Sequence, residues 1–269
     1  MPEGPEVKTT VDFLKKYQNK SLTHFQVVSG RYTKKPIHNI NNPGWCTPLN
    51  LESVDCKGKF IYFSFEKNVH FFSTLGMTGE WSNRLTRHTR LKFEFDSNKD
   101  EPLYFNDVRN FGTLKIILSN KDLDKKLKSL GPDILSSYVD AELFKSRLDK
   151  KPNWSVAKAL MDQSVVSGVG NYLKAEILYA SEISPHRLCK DLTAKEVELI
   201  AQESFDITRL SYNSGGATIK NYRKPDGKKG LYSQRFAVYN QKTSPCGNEV
   251  IKEQTLDKRT THWVPAVQK

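Results

Sequence analysis

The chain has 269 residues, with 42 Lys and Arg against 30 Asp and Glu, which gives a formal net charge of +12. Hydrophobic residues make up 37% and aromatic residues 11%, which excludes a disordered chain and allows one large or two modest cores. No run of about 18 apolar residues occurs, so a membrane span is not expected. The positive excess predicts a polyanionic partner, most commonly nucleic acid.

The positive charge also has two alternative interpretations. An anionic membrane surface is disfavoured because no segment is a Trp-rich basic amphipathic helix, and the protein could also be basic without any polyanionic partner. No secretory signal is visible at the N-terminus. The cysteines, none in a C-x-x-C pair, predict reduced thiols in an intracellular protein: Cys46, Cys56, Cys189 and Cys246.

The first predicted element is an amphipathic helix over about 5–19, because Val7, Val11 and Leu14 recur at helical spacing. Pro5 suits the first turn of such a helix, where its missing N–H is not needed. From residue 22 to 118 the chain changes to short runs rich in Phe, Tyr, Val and Ile, separated by Gly, Asn and Pro. This texture predicts an antiparallel sandwich or barrel.

A charged stretch ending at Gly131-Pro132 predicts a linker with a short helix, and helical periodicity returns after it. The polar segment 215–235 is predicted to be a long loop, and the last part of the chain a hairpin. The predicted fold class is therefore α+β, without internal repeats. The predicted segments are an N-terminal antiparallel β-sandwich with a leading helix at 1–120, a linker at 121–135, a helical domain at 136–235 and a terminal hairpin at 236–269.

The stretch MDQSVVSGVGNYLKAEIL predicts a helix ending near Asp162, a loop with Gly168 and Gly170, and a second helix starting at Asn171. Glycines let the backbone approach a ligand closely, and the N–H groups that follow can bind an anion such as a DNA phosphate. Asn171 can cap the helix and present its amide to phosphate. An ordinary helical hairpin with a Gly-rich turn explains the same stretch equally well.

The C-terminal segment DKRTTHWVPAVQK follows SPCGNEVI, and two short strands joined by a polar turn would place Arg259 at the tip of a hairpin. A fixed guanidinium there can bind phosphate through two hydrogen bonds. Taken alone, an exposed arginine is more often only solvated.

Seven motifs occur in one order along the chain: PEGPEV at the N-terminus, GKF at 58–60, LGMTG at 75–79, DVRNFGT at 107–113, LGPD at 130–133, LMDQ…SGVGN at 160–171 and RTT…P..QK at the end. Together they resemble the formamidopyrimidine-DNA glycosylase/endonuclease VIII (Fpg/Nei) family over essentially the whole chain. The resemblance implies a helix–two-turns–helix element in the helical domain. It implies a bifunctional DNA glycosylase/AP lyase of base excision repair that cuts by β,δ-elimination.

Two other functions stay open beside this one. A DNA-binding module that has lost catalysis is disfavoured because Pro2, Glu3 and Lys59 are all present. An RNA-binding structural protein would leave PEGPEV and the β-rich half unexplained. The expected partner is double-stranded DNA with oxidised bases or abasic sites, bound by a monomer.

The family resemblance gives the opening residues their roles. Met1 would be removed, and the exposed Pro2 amine would attack the sugar carbon that bears the damaged base and form a Schiff base. A free α-amine titrates near 7.7–8.0, against about 10.4 for lysine, so neutral amine is present near pH 7. Glu3 matches the general acid, with Glu6 in a supporting role, and Lys59 matches a strand-end lysine that contacts phosphate.

Three further residues match the family set that fills the space left by a flipped nucleotide: Met77, Arg109 and Phe111. Their chemistry suits an apolar wedge, a cation that bonds the orphaned base and a ring that stacks between bases. By periodicity alone, Met77 and Phe111 would be core residues.

The sequence departs from the many relatives that carry a four-cysteine zinc finger, because only Cys246 matches a ligand and one thiolate cannot form a tetrahedral site. We therefore expect a zincless finger, similar to that of vertebrate, viral and plant relatives, packed by Trp263, Val264 and Val267 and presenting Arg259. No metal and no cofactor are expected.

The loop over 215–235 has six basic residues against one acidic, Asp226, and its Lys220 is predicted to contact DNA. The loop resembles the lesion-capping loop of the bacterial oxidised-purine branch, whereas the missing zinc ligands point to the other branch. The substrate therefore stays open between oxidised pyrimidines and oxidised or ring-opened purines. A broad range that includes ring-opened purines and hydantoins is expected.

Overall fold

The structure is a computed structural model that describes residues 1–96, 101–218, 222–255 and 258–269. The chain divides into two compact units. Unit 1 comprises Met1–Pro2, Glu6–Lys128 and Thr218–Gly230, and unit 2 comprises Glu3–Pro5, Ser129–Ala217 and Leu231–Lys269. Part of the loop predicted to belong to the helical segment thus groups with unit 1. Within the described ranges, no helix combines the length and apolar character needed to cross a membrane.

The β-rich half of the chain forms one antiparallel sheet with the strand order β5-β7-β6-β1-β2-β3-β4-β8. Its elements are α1 (Gly4–Leu14), β1 (Ser21–Val27), β2 (Leu49–Lys57), β3 (Phe60–Phe65), β4 (Val69–Thr74), β5 (Gly79–Ser82), β6 (Thr89–Phe95), β7 (Leu103–Asp107), β8 (Thr113–Ile117) and α2 (Asn120–Ser129).

The two halves of this sheet pack face to face through aromatic side chains. Along β6 every second residue is buried, which points Leu91 and Phe93 inward. The Phe71 ring of β4 lies 5.9 Å from the Phe93 ring and 6.0 Å from the Phe25 ring of β1. Because rings from distant strands meet in one core, the predicted antiparallel β-sandwich is confirmed.

The leading helix is confirmed, but it is shorter than predicted. Val7, Val11 and Leu14 are buried on one face of α1, as their spacing requires. The helix ends at Leu14 rather than near residue 19, because a 3₁₀ turn over Lys15–Tyr17 and a positive φ of 63° at Asn19 lead the chain into β1.

The second half of the chain is helical and ends in a hairpin. Its elements are α3 (Ala141–Leu148), α4 (Val156–Met161), α5 (Asn171–Ala180), α6 (Ala194–Asn213), β9 (Ile251–Gln254) and β10 (Thr260–Trp263). Thr193 and Glu196 form a capping box at the start of α6. The helical domain and the terminal hairpin of the predicted fold class are both confirmed.

The hairpin packs by apolar side chains against α5. Val264 is fully buried in a small cluster with Val238, Val250 and Ala175, and Val267 packs on the edge of this cluster. Trp263 is half-buried, and its indole N–H donates to Glu253 at 2.6 Å. Among the residues that the structure describes, no group of three or more His, Cys, Asp or Glu is arranged to hold a metal ion.

Two leucines near β6 give a matched test of the core. Leu91 is fully buried, and Leu85 is 68% exposed. Leu91→Ala is expected to lower the free energy of unfolding by about 2–5 kcal/mol, because it leaves a cavity, whereas Leu85→Ala should change it by less than about 0.5 kcal/mol. Urea unfolding followed by tryptophan fluorescence measures both, and equal effects would contradict the packing described.

Candidate functional site

Pro2 and Lys59 line one cavity of about 160 Å³ in unit 1. Lys59 is the second residue of the two-residue turn between β2 and β3, whose first residue, Gly58, has a positive φ of 57° that glycine adopts without strain. The rest of the lining comes from the chain start, α1 and the end of β4: Met1, Val7, Thr74, Leu75 and Gly76. Two residues 57 positions apart in sequence, both predicted to be catalytic, therefore share one cavity.

Glu3 lies in unit 2, where its buried carboxylate binds the N-terminus of α5. It accepts backbone N–H bonds from Gly170 at 2.7 Å, Tyr172 at 2.9 Å and Leu173 at 3.3 Å. These N–H groups have no partner inside the helix, and the positive end of the helix dipole favours a negative charge. A Cβ at Gly170 would overlap the Glu3 carboxyl group, which is why this position needs glycine.

The Gly-rich loop before α5 is held by Gln163. Its Nε2 donates to the carbonyl groups of Met161 and Val169, and its Oε1 accepts from the N–H of Gly168 at 3.0 Å. Gly168 has a positive φ of 105°, and its carbonyl accepts from the N–H of Gly4 at 2.9 Å. Hydrogen bonds from the Gln163 side chain and from the backbone of Gly4 thus fix the loop.

The predicted capping role of Asn171 is wrong. α5 begins at Asn171, and its N-cap residue is Gly170, which has no side chain that could cap the helix. The Glu3 carboxylate satisfies these N–H groups instead. The Asn171 side chain is turned to the hairpin, where Nδ2 donates to the carbonyl of Thr260 at 2.8 Å.

Arg259 lies at the tip of the β9–β10 hairpin, as predicted. Its side chain is exposed, and its carbonyl accepts from both the N–H and the hydroxyl of Thr255, each at 2.9 Å. These two bonds fix the backbone at the point where the arginine side chain leaves the hairpin.

Met77, Arg109 and Phe111 lie together on the surface of unit 1. The Arg109 guanidinium is 4.8 Å from the centre of the Phe111 ring and donates to Met77 Sδ at 3.1 Å. Met77 is 38% exposed and Phe111 is 52% exposed, so neither is a core residue, contrary to what periodicity alone favours. Three residues from two loops thus form one exposed cluster of apolar and cationic groups.

Asp107, a buried carboxylate that sequence reasoning missed, organises both loops of this cluster. It accepts from the Thr78 hydroxyl at 2.5 Å and from the N–H groups of Arg109 at 3.1 Å and Gly112 at 2.7 Å. Asp107 bonds Thr78, which follows Met77, and the backbone of Arg109. It therefore holds the loop that carries Met77 against the loop that carries Arg109.

Glu6 is buried in unit 1, and its backbone carbonyl accepts from the Tyr222 hydroxyl at 3.4 Å. Burial raises the pKa of Tyr222, and the nearby carboxylates of Glu6, Asp226 and Glu80 raise it further. The described part of the predicted capping loop therefore contacts α1. Lys220 lies outside the described residues.

Sequence reasoning also missed two charged residues inside α5, Lys174 and Glu176. Both are buried in the run YLKAEILYA, whose other residues are aliphatic or aromatic, and that position was the available signal. The Glu176 carboxylate accepts three backbone N–H bonds from residues 237–239, at 2.7–3.1 Å. Burial raises the pKa of Glu176 above its usual value, and these three bonds offset only part of that rise.

His262 on β10 is buried beside Tyr239, with the ring centres 5.0 Å apart. Its ring nitrogens have no hydrogen-bond partner among the described residues. Burial, together with the positive charges of Lys252 and Lys174, lowers the pKa of His262 from the usual 6.5 to about 4.

This neutral histidine predicts a pH dependence of stability. Between about pH 6.5 and 4 the unfolded chain binds a proton at His262 that the folded chain does not, so the free energy of unfolding falls as the pH falls. His262→Leu should remove this part of the pH dependence, whereas the exposed His24→Leu should leave it. Urea unfolding from pH 7 to 4.5 measures the slope, and the same slope in His262→Leu as in the unaltered chain would contradict this role of the histidine.

The chain matches three family models along its length. They are described as the formamidopyrimidine-DNA glycosylase N-terminal domain over residues 1–114, its H2TH domain over 130–223 and its C-terminal domain over 232–269. Formamidopyrimidine-DNA glycosylases of Oceanobacillus iheyensis and Ureaplasma parvum are each 32% identical to it, over 100% of this chain and 98% and 100% of theirs.

Solved structures agree with these matches. The MutM (Fpg) protein of Thermus thermophilus is 29% identical, with a TM-score of 0.86 over 99% of this chain and 98% of that one. A Lactococcus lactis Fpg mutant in complex with DNA containing Fapy-dG is 25% identical, with a TM-score of 0.86 over the whole of both chains. From the sequence, the fold and these relatives together, the chain belongs to the formamidopyrimidine-DNA glycosylase family.

Proposed function

We propose that this chain is a DNA glycosylase and AP lyase of base excision repair, which removes oxidised bases and nicks the strand by β- and then δ-elimination. The observation that carries the proposal is the cavity of unit 1 that Pro2 and Lys59 share. Membership of the family supports it, as do structural neighbours in complex with DNA containing Fapy-dG or carbocyclic 8-oxo-G.

The nucleophile in this proposal is the Pro2 nitrogen, freed when Met1 is removed. It attacks the sugar C1′, and the damaged base leaves with the electron pair of the glycosidic bond. Because proline is a secondary amine, it then forms an iminium ion with the opened sugar. The iminium accepts the electrons released when a C2′ proton is removed, so the 3′ phosphate leaves, and a second elimination releases the 5′ phosphate.

Glu3 and Lys59 supply the charges that this reaction needs. Glu3 follows Pro2 directly in the chain, so its carboxyl group can carry protons to and from the sugar oxygen next to the attacked carbon. Its buried carboxylate, held by three N–H donors, also stabilises positive charge on the sugar ring. The Lys59 ammonium offsets negative charge on the phosphate and on the departing base.

Each unit contributes residues with a proposed role in binding DNA. We assign phosphate binding to Asn171, Arg259 and the backbone around Gly168 and Gly170. Met77, Arg109 and Phe111 fill the space left by the extruded nucleotide, which their exposed cluster suits. Lys220 keeps its role as a proposed DNA contact on sequence grounds. The net charge of +12 favours association with DNA of any sequence.

The substrate range is proposed to be broad and to include ring-opened purines and hydantoins. The relatives are named for formamidopyrimidine, the ring-opened purine, which favours this class among the alternatives that the sequence leaves open. The capping loop, whose Tyr222 contacts α1, is the part of the chain proposed to select the base.

Borohydride trapping tests the proposed reaction. The processed chain should form a covalent adduct with a duplex that contains an abasic site, because borohydride reduces the iminium ion to a stable amine. A chain that retains Met1, and the Pro2→Gly variant, should form none. A catalytically inactive DNA-binding module would bind the same duplex without forming an adduct, and that outcome would contradict the proposal.

The turn between β2 and β3 offers a matched control for this experiment. Lys59→Ala should slow adduct formation by about 10²-fold, the usual cost of losing one charge-stabilising group. Lys57→Ala, two residues away, removes a lysine whose ammonium donates to the carbonyl of Leu127, and it should trap at the unaltered rate. Equal rates for the two variants would remove Lys59 from the mechanism.

The phosphate role of Arg259 predicts a change in salt dependence. Arg259→Ala should weaken binding to DNA of any sequence and reduce the slope of log K against log salt by about 0.9, the value for one lost phosphate contact. Lys145→Ala removes a cation of α3 that is paired with Asp149, the residue after the helix, and it should leave the slope unchanged. Fluorescence anisotropy over a salt series measures both, and an unaltered slope in Arg259→Ala would exclude the contact.

A further inference from the structure

Lys174 is a fully buried lysine in α5, with 0% of its surface exposed. Lysine is almost never fully buried unless its ammonium has a partner, because burying a charge is costly. The proposed reaction uses no lysine at this position. A buried charge one turn behind the N-terminus of a helix that is proposed to bind phosphate therefore needs a physical cause.

The ammonium of Lys174 donates to Oδ1 of Asn171 at 2.9 Å. The two residues are three positions apart, so they lie on the same face of the helix. An ammonium group can only donate, whereas the two ends of an asparagine amide differ, since the oxygen accepts and the nitrogen donates. Lys174 therefore selects the orientation in which the Asn171 oxygen points into the protein.

The other end of the same amide faces the hairpin. Nδ2 of Asn171 donates to the carbonyl of Thr260, the residue that follows Arg259. A phosphate oxygen accepts hydrogen bonds and is repelled by a carbonyl oxygen. Nδ2 has two N–H groups, and the Thr260 carbonyl accepts from one of them. Only the orientation that Lys174 selects presents the second N–H, rather than an oxygen, beside Arg259.

The charge of Lys174 is also felt by its neighbours. Together with burial and Lys252, it lowers the pKa of His262 on β10.

We propose that Lys174 is a positioning residue for DNA binding, whose ammonium holds the Asn171 amide with its N–H end toward the phosphate that Asn171 and Arg259 bind. This inference rests on the proposed function. Lys174 acts through Asn171 and makes no phosphate contact of its own.

A double-mutant cycle tests the proposal. Lys174→Met removes the donor at nearly constant volume, and it should weaken binding to a duplex containing a tetrahydrofuran abasic-site analogue by about tenfold, because the Asn171 oxygen loses its buried partner. In the Asn171→Ala background, Lys174→Met should cause no further loss of affinity, because the effects of two residues that act through one another are not additive. Lys174→Gln, which keeps a donor, should recover most of the affinity.

Salt dependence separates positioning from direct contact. The slope of log K against log salt should be the same in Lys174→Met as in the unaltered chain, whereas a lost phosphate contact would reduce it by about 0.9. An additive loss in the double mutant, a reduced slope or an unchanged affinity in Lys174→Met would each overturn the proposal.

Two measurements keep the outcome interpretable. Lys174→Ala is carried in parallel with Lys174→Met, and urea unfolding identifies which of them is folded, so the cycle can be completed with either variant. Borohydride trapping of the unaltered chain tests the proposed function separately. An adduct together with an additive cycle would reject only the role of Lys174, and no adduct with a non-additive cycle would reject only the reaction.

Discussion

One buried carboxylate fixes the start of this chain. Termini usually fray, but Glu3 accepts backbone N–H bonds from three residues at the start of α5, where the helix dipole favours a negative charge. Gly170 permits this approach because any Cβ there would overlap the carboxyl group. Since Pro2 is joined to Glu3 by one peptide bond, an ordered Glu3 also restricts where the proline nitrogen can lie. The proposed chemistry depends on that restriction.

Two other buried carboxylates also accept hydrogen bonds from backbone N–H groups. Asp107 accepts two backbone N–H bonds and a hydroxyl bond, and it fixes the loops that carry Met77 and Arg109. Glu176 accepts three N–H bonds from the segment before the hairpin. Buried carboxylates that bond the backbone hold loops in one arrangement before any ligand arrives, which is what a site needs to act on charge that develops in a reaction.

Local pattern was enough to predict the elements from the sequence, including the α1 face, the β-sandwich, the start of α5 and the hairpin with Arg259 at its tip. It failed where partners come from distant parts of the chain. Asn171 has the composition of a helix cap, yet Glu3, which is 168 positions earlier, caps α5 instead. Nothing local to Asp107 or Gln163 shows which N–H groups they bind. Exposure of Met77 and Phe111 was predicted only through the family resemblance, because periodicity favours the core.

The most direct test of the central claim is to identify the atom that bonds to DNA. The adduct reduced by borohydride can be digested with protease and nuclease, and the peptide that carries the sugar remnant sequenced by tandem mass spectrometry. The account predicts the remnant on the nitrogen of Pro2, at the new N-terminus of a peptide that begins PEGPEVK. A remnant on a lysine side chain, or on Met1, would contradict it.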